Sequence, residues 1–185
     1  MQCCAISDAH NDFLTNKCCD LTKLNEEFEK NNVALCNAIL FSNDDKPLNF
    51  VRAKQLKSRI EKFSYLKNNS VFSFENIGFV KKIQPLIAFA PFSCSLTWNY
   101  DNKFAGGAFG FSGLTKKGQN IIKLLNENNI CIDTAHLNRR SFWDVARFAK
   151  QPIFNSHTCV SIFKEHRRNI DIEQAKAIFE TKGFL

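Results

Sequence analysis

At 185 residues, with 44% apolar and 23% charged side chains, the chain can form one domain, residues 1–185, around a real core, and is not disordered. Its 25 Lys and Arg outnumber 18 Asp and Glu to give a net charge of +7. The cations are dispersed as on solvated helix faces, with only Arg139–Arg140 and Arg167–Arg168 as tight pairs, so a nucleic-acid partner is not expected. No stretch approaches the roughly 18 apolar residues of a membrane span, and the N-terminal MQCCAISDAH lacks the regions of a secretion signal; the expectation is a cytoplasmic chain with no membrane partner.

Eight cysteines fit small buried thiols in a reducing compartment. There is no C-x-x-C, and the adjacent pairs Cys3–Cys4 and Cys18–Cys19 suit tetrahedral zinc poorly.

In chain order, residues 3–8 read as a buried strand that runs into His10 and Asp12. At a strand period of two these side chains share a face, a compact way to offer a nitrogen and a carboxylate to one divalent ion. A capping or surface role is the blander account of the pair. Thr22 opens a short helix carrying Leu21, Leu24 and Phe28, and Val33–Phe41 is a continuous apolar run, as in a strand covered on both sides. Ala53, Leu56, Ile60 and Phe63 recur at helical spacing and predict one helix over Phe50–Leu66. Ser70–Phe74 is the third strand and ends in Glu75, which reads either as a site carboxylate or as a first-turn helix acid. Residues 80–92, interrupted by Pro85 and Pro91, have no clear assignment. Ser93–Thr97 is the fourth strand and leads to Trp98 and Asn99. The Gly-rich segment Asn102–Ser112 lacks a phosphate-loop pattern and reads as a flexible loop over the site. Thr115 caps the next helix. Ile130–Ala135 and Pro152–Asn155 are strands five and six, flanking a helix over Arg140–Lys150 and ending in His136 and His157. Asp171 caps the last helix, and Phe184–Leu185 resemble the start of a seventh strand.

Alternating strands and helices with apolar strands imply a parallel α/β sheet. A full (β/α)8 barrel needs about 250 residues, so the expected fold is an incomplete TIM barrel with about six strands. Three of the four histidines follow strands at the same end, together with Asp12 and Glu75. That end is where parallel α/β folds bind ligands, and this donor set can hold two metal ions with a bridging carboxylate.

The order of DAHND, SFENIG, SLTWNYDN, GLTKKG, IDTAHLNRRSFWDV, PIFNSHT and HRRN resembles the membrane dipeptidase (renal dipeptidase) family of zinc peptidases, in its bacterial form. The resemblance covers nearly the whole chain. It implies a metal-dependent hydrolase barrel with two Zn2+ ions that cleaves dipeptides, including those with a C-terminal D-residue, by attack of metal-bound hydroxide on the peptide carbonyl. It implies that His10 and Asp12 bind one zinc and His136 and His157 the other, with Glu75 bridging both as ligand and catalytic group. Arg168 would pair with the substrate carboxylate. Trp98 stands where animal members carry a substrate-binding histidine, with Asn99 beside it as a further contact. The family's eighth-strand aspartate has no match here. The resemblance therefore leaves two readings: a zinc dipeptidase, or a C-terminally truncated, inactive relative that keeps the metal ligands and acts at most as a binding module. Self-association into a homodimer is one way to close the open barrel.

Overall fold

The computed structural model describes residues 5–16, 18–43 and 45–185. Six strands form one sheet: β1 (Ile6–Asn11), β2 (Val33–Phe41), β3 (Ser70–Glu75), β4 (Ser93–Ser95), β5 (Cys131–Asp133) and β6 (Ile153–Phe154). All neighbouring pairs are parallel, and the spatial order follows the chain order. Helices fill the connections: α1 (Leu21–Lys30), α2 (Phe50–Ser58), α3 (Ser64–Asn69), α4 (Gln84–Phe89), α5 (Lys116–Glu127), α6 (Arg139–Phe148) and, after β6, α7 (Ile172–Glu180). Sequential order without reversal is the order of a barrel, not of a doubly wound sheet. The sheet curls far enough that the His10 ring after β1 and the His157 ring after β6 lie 4.0 Å apart. The fold is an incomplete (β/α)8 barrel, open between β1 and β6.

Strand alternation divides the sheet's two faces. Cys36, Ala38, Leu40, Phe74, Cys94, Ile132 and Ile153 join the core beneath the helices. The alternate positions Asn37, Ser73, Glu75, Ser93, Ser95 and Asp133 are buried and polar, and the Ser93 Oγ–H donates to Ser73 Oγ at 2.7 Å. An inner face this polar belongs to a site rather than to a dry barrel core.

Several local expectations are corrected. The first strand lies over Ile6–Asn11 rather than 3–8, and residues 3 and 4 fall outside the described residues. The first helix is capped by Asp20, whose carboxylate accepts from the Thr22 and Lys23 N–H groups. The single helix over Phe50–Leu66 is two. Ser58 Oγ donates back to the Gln55 carbonyl, and Arg59, Ile60, Glu61 and Phe63 all bond to the carbonyl three residues earlier, so the chain tightens and turns. The prolines of 80–92 bound a helix instead of breaking one. Pro85 sits in the first turn of α4, and Ala90 ends it at φ 52°, just before Pro91. Helices follow β5 and β6 as expected, the first over Arg139–Phe148 rather than Arg140–Lys150, with Asn138 capping α6 and Asp171 forming a capping box on α7.

The Gly-rich loop is packed, not flexible. Residues 104–108 are buried. A Cβ on Gly106 would meet the Ser112 carbonyl oxygen at 2.0 Å, so glycine is there for space. Asp101 and Asn102 fasten the loop by accepting from four backbone N–H groups, those of Phe111, Ser112, Phe104 and Ala105. The expected seventh strand is represented by one backbone bond, from the Asn155 N–H to the Phe184 carbonyl (3.1 Å), with the Phe184 ring stacked on Phe154. The six described cysteines are free, and no described helix is long and apolar enough to cross a membrane.

Candidate metal centre

Five of the six strand ends, all but that of β2, deliver groups to the open mouth. His10 is the penultimate residue of β1, with Asp12 just beyond; Glu75 is the last residue of β3. Trp98 and Asn99 follow β4, His136 follows β5, and Ser156 and His157 follow β6. Arg168 comes from the loop before α7. His10, Asp12, Glu75, Trp98, His136, Ser156, His157 and Arg168 line one cleft of about 510 Å³. Asn99 does not line it but stands behind His136, its Oδ1 3.1 Å from Nδ1.

Glu75 is the centre of this set. Its Oε1 lies 2.8 Å from His136 Nε2 and 3.7 Å from His157 Nε2, and its Oε2 lies 3.9 Å from His10 Nε2. His10 Nε2 is also 3.5 Å from Asp12 Oδ2. One ligand atom each from His10, Glu75 and His157 falls within 4.8 Å of the others, a spacing that could hold a metal ion.

Two of these residues are held by unusual backbone. Asn76, directly after Glu75, has φ 61°, and His136 itself has φ 67°. Left-handed conformations at such residues cost about 1 kcal/mol or more and persist only where the surroundings enforce them. Around Asn76, its N–H donates to Ser95 Oγ, its Nδ2 to the Ser42 carbonyl, and Asn102 Nδ2 donates to its Oδ1. Thr97 Oγ1 donates to the His136 carbonyl. These bonds fix the two donors that approach most closely.

The electrostatics fit a cation. Burial pushes the Glu75 carboxyl up to about 7, with the His10 charge opposing and Asp12 adding to the rise. Burial, then the charge of Arg168, lowers His136 to about 3; burial, then His10 and His136, lowers His157 to about 3. Burial also draws His10 down, but its hydrogen bond to Asp12 and the charges of Glu75, Asp12 and Asp133 outweigh this and leave it raised. His136 and His157 are therefore neutral, and their Nε2 atoms face each other at 3.0 Å. Among the described residues no hydrogen bond reaches Glu75 Oε1, although the atom is buried. Two imidazole nitrogens and a carboxylate oxygen thus meet at close range in a buried setting, a donor set that can hold a divalent cation.

Four supporting residues escaped the sequence reading: Asp133, Ser156, Asn76 and Asn102. Asp133 lies three residues before His136 and Ser156 immediately precedes His157, a polar pair at two strand ends that could have drawn attention. Asn76 and Asn102 carry no pattern that separates them from ordinary turn residues.

The structure resembles known barrels. A metallopeptidase of family M19, a dipeptidase, superposes with a TM-score of 0.80 at 15% identity, over 98% of this chain and 71% of that one. A metallopeptidase from Rhodobacter sphaeroides, liganded with a phosphinate mimic of the dipeptide L-Ala-D-Ala, gives 0.74 at 15% identity, over 97% and 72%. An amidohydrolase from Pseudomonas aeruginosa gives 0.74 at 20% identity, over 97% and 61%. Two curated relatives are uncharacterized proteins: one encoded in the pqqA 5′ region of Klebsiella pneumoniae, 31% identical over 96 residues, and one in the PQQ-III 3′ region of Acinetobacter calcoaceticus, 32% identical over 96 residues. The matches take in 48% of this chain in each case and 35% and 30% of the relatives, so the chain spans about a third of their length. The model of the membrane dipeptidases, peptidase family M19, matches residues 90–185, just over half of the chain and the part that contains His136, His157 and Arg168. On that match, and with the same barrel around its strand-end donors, the chain belongs to the membrane dipeptidase family of metallopeptidases.

Proposed function

We propose that the cleft is a zinc dipeptidase site, with His10 and Asp12 holding one ion, His136 and His157 holding the other, and Glu75 shared between them. The observation that carries this reading is the buried Glu75 Oε1, which has no hydrogen-bond donor among the described residues and two neutral imidazole nitrogens turned toward it. Bound there, the ions would polarise a carbonyl and make a nucleophile available from water near neutral pH.

The chain's own residues would do the rest. Arg168 lines the same cleft, and its Nη2 donates to the His157 carbonyl at 3.4 Å. Its planar guanidinium suits a substrate carboxylate. Trp98 packs edge-on against Phe41 with ring centroids 5.2 Å apart, and forms an apolar wall against which a dipeptide side chain can rest. Asn99 fixes the ring of His136 from behind. The Rhodobacter sphaeroides relative was captured with a mimic of L-Ala-D-Ala; by that likeness, dipeptides with a C-terminal D-residue are the proposed substrates.

The test is zinc content by elemental analysis together with hydrolysis of L-Ala-D-Ala. Two zincs per chain with turnover is the expected result. Zinc without turnover would favour the second reading, a chain that binds metal and leaves the chemistry undone; the gap between β1 and β6, beside the cleft, is what keeps that reading open. A folded chain that takes up no zinc would overturn both.

A further inference from the structure

Ser156 lines the cleft, with its hydroxyl among three partners. Oγ is 2.5 Å from Asp133 Oδ2, 2.9 Å from His157 Nδ1 and 3.3 Å from His10 Nδ1. A hydroxyl has one hydrogen and two lone pairs, so the direction of each bond can be worked out. Asp133 is buried beside it, and its other oxygen, Oδ1, already accepts from the Ala135 N–H at 2.9 Å and the Ser156 N–H at 3.1 Å. Two backbone donors on one oxygen and the short hydroxyl contact on the other mark Asp133 as the acceptor. The Ser156 hydrogen therefore goes to Asp133. Its oxygen can then only accept, and both imidazoles must present N–H at Nδ1.

We propose that Ser156, anchored by Asp133, fixes the tautomers of His10 and His157, so that both rings carry hydrogen on Nδ1 and turn a bare Nε2 lone pair toward Glu75. One hydroxyl thus sets the rings of the first and the last strand together. His136 is set independently, by the Asn99 carboxamide oxygen at its Nδ1. Ser156 is a positioning residue: it acts through the two rings. The role gains its purpose from the metal-site reading, but the tautomers are a property of the metal-free chain.

The experiment is long-range ¹H–¹⁵N correlation NMR of the imidazoles in the metal-free chain at mildly alkaline pH. All three site histidines should give the Nδ1–H pattern. Ser156→Ala should let His10 and His157 drift toward the Nε2–H form that free imidazole prefers, leave His136 unchanged, and weaken zinc binding about ten- to a hundredfold at unchanged stoichiometry, within the usual range for a lost outer partner. Ser156→Thr keeps the hydroxyl and should restore both. Asp133→Asn gives a check that keeps the serine. The two backbone N–H groups hold the amide oxygen, so the amide nitrogen faces Ser156 Oγ. The hydroxyl hydrogen must then turn to an imidazole, and one ring should switch to Nε2–H. Site rings in the Nε2–H form in the wild type, or a Ser156→Ala spectrum identical to it, would overturn the proposal even where zinc binds normally. The stated tautomers without zinc uptake would uphold it while overturning the metal-site reading.

Discussion

The Nε2 atoms of His136 and His157 face one another at 3.0 Å, and Glu75 Oε1 lies 2.8 Å from the first and 3.7 Å from the second. With both rings neutral, the two imidazole nitrogens and the buried carboxylate oxygen form a donor set that a divalent cation would satisfy. Zinc at a hundredfold excess over its dissociation constant should stabilise the chain by about 2.7 kcal/mol. For a chain of this size that is a rise in melting temperature of roughly 5–10 °C, reversed by a chelator. His136→Ala and His157→Ala should each flatten the response in a thermal melt. A full zinc-induced rise in either variant would place the metal elsewhere.

Arg168 is expected to act on substrate and not on metal. Arg168→Ala should raise KM for a dipeptide by about ten- to a hundredfold, the loss of a charged hydrogen bond worth about 1.5–3 kcal/mol, with zinc content unchanged. Arg168→Lys keeps the charge without the fork and should recover only part of the loss. Parallel loss of zinc in Arg168→Ala, measured on the same preparation, would contradict a carboxylate clamp.

Gly106 is where the loop after β4 is least tolerant. Its missing Cβ leaves room for the Ser112 carbonyl and for Asn138 Nδ2, which would lie at 2.0 and 2.4 Å from an added methyl. Gly106→Ala should cost about 1–3 kcal/mol by overpacking, read as a lower midpoint in urea unfolding. Because the first of these atoms is backbone, relaxation is expensive. An alanine variant as stable as the parent would mean that the loop is looser than its burial implies.

Much of this was legible in the residues. Apolar runs such as Val33–Phe41 and strand-end histidines such as His136 declare themselves because burial and metal ligation use few residue types at regular spacings. What the sequence conceals is how far a helix runs when side chains compete with it. The tightening over Arg59–Phe63 goes with Ser58 back-bonding, which has no periodic pattern, while Ile60 keeps the helical spacing and reaches the core without an α-helix around it. The Gly-rich loop misled for a related reason: glycine written for close approach looks the same as glycine written for freedom. Ser156 was missed because its role depends on His10, which lies at the other end of the fold in sequence and beside it in space.

The cysteines offer a check on the sheet that is independent of any metal. Burial lifts the Cys36 thiol from 9.0 to about 12, with the charge of Asp8 adding to it, and raises Cys94 further. The shift at Cys36 alone cuts its thiolate fraction roughly a thousandfold. Cys18 and Cys159 are exposed. Iodoacetamide followed by peptide mass mapping should find Cys18 and Cys159 alkylated early, and Cys36 and Cys94 only after denaturant. Early modification of Cys94 would mean that β4 is not seated between β3 and β5.

The meeting of β1 with β6 has a kinetic side. Every hydrogen-bonded strand pair joins neighbours along the chain, so the sheet can grow by adding one strand at a time, each step closing a short loop. The contacts of His10 with Ser156 and His157 are different, because they bring together groups 146 and more residues apart without any backbone pairing to assist. Loop entropy makes such contacts more costly to close than neighbouring strand pairs. The curl that completes the cleft is thereby expected to form after the sheet, an order that φ-values measured at the cleft and in the strands would check.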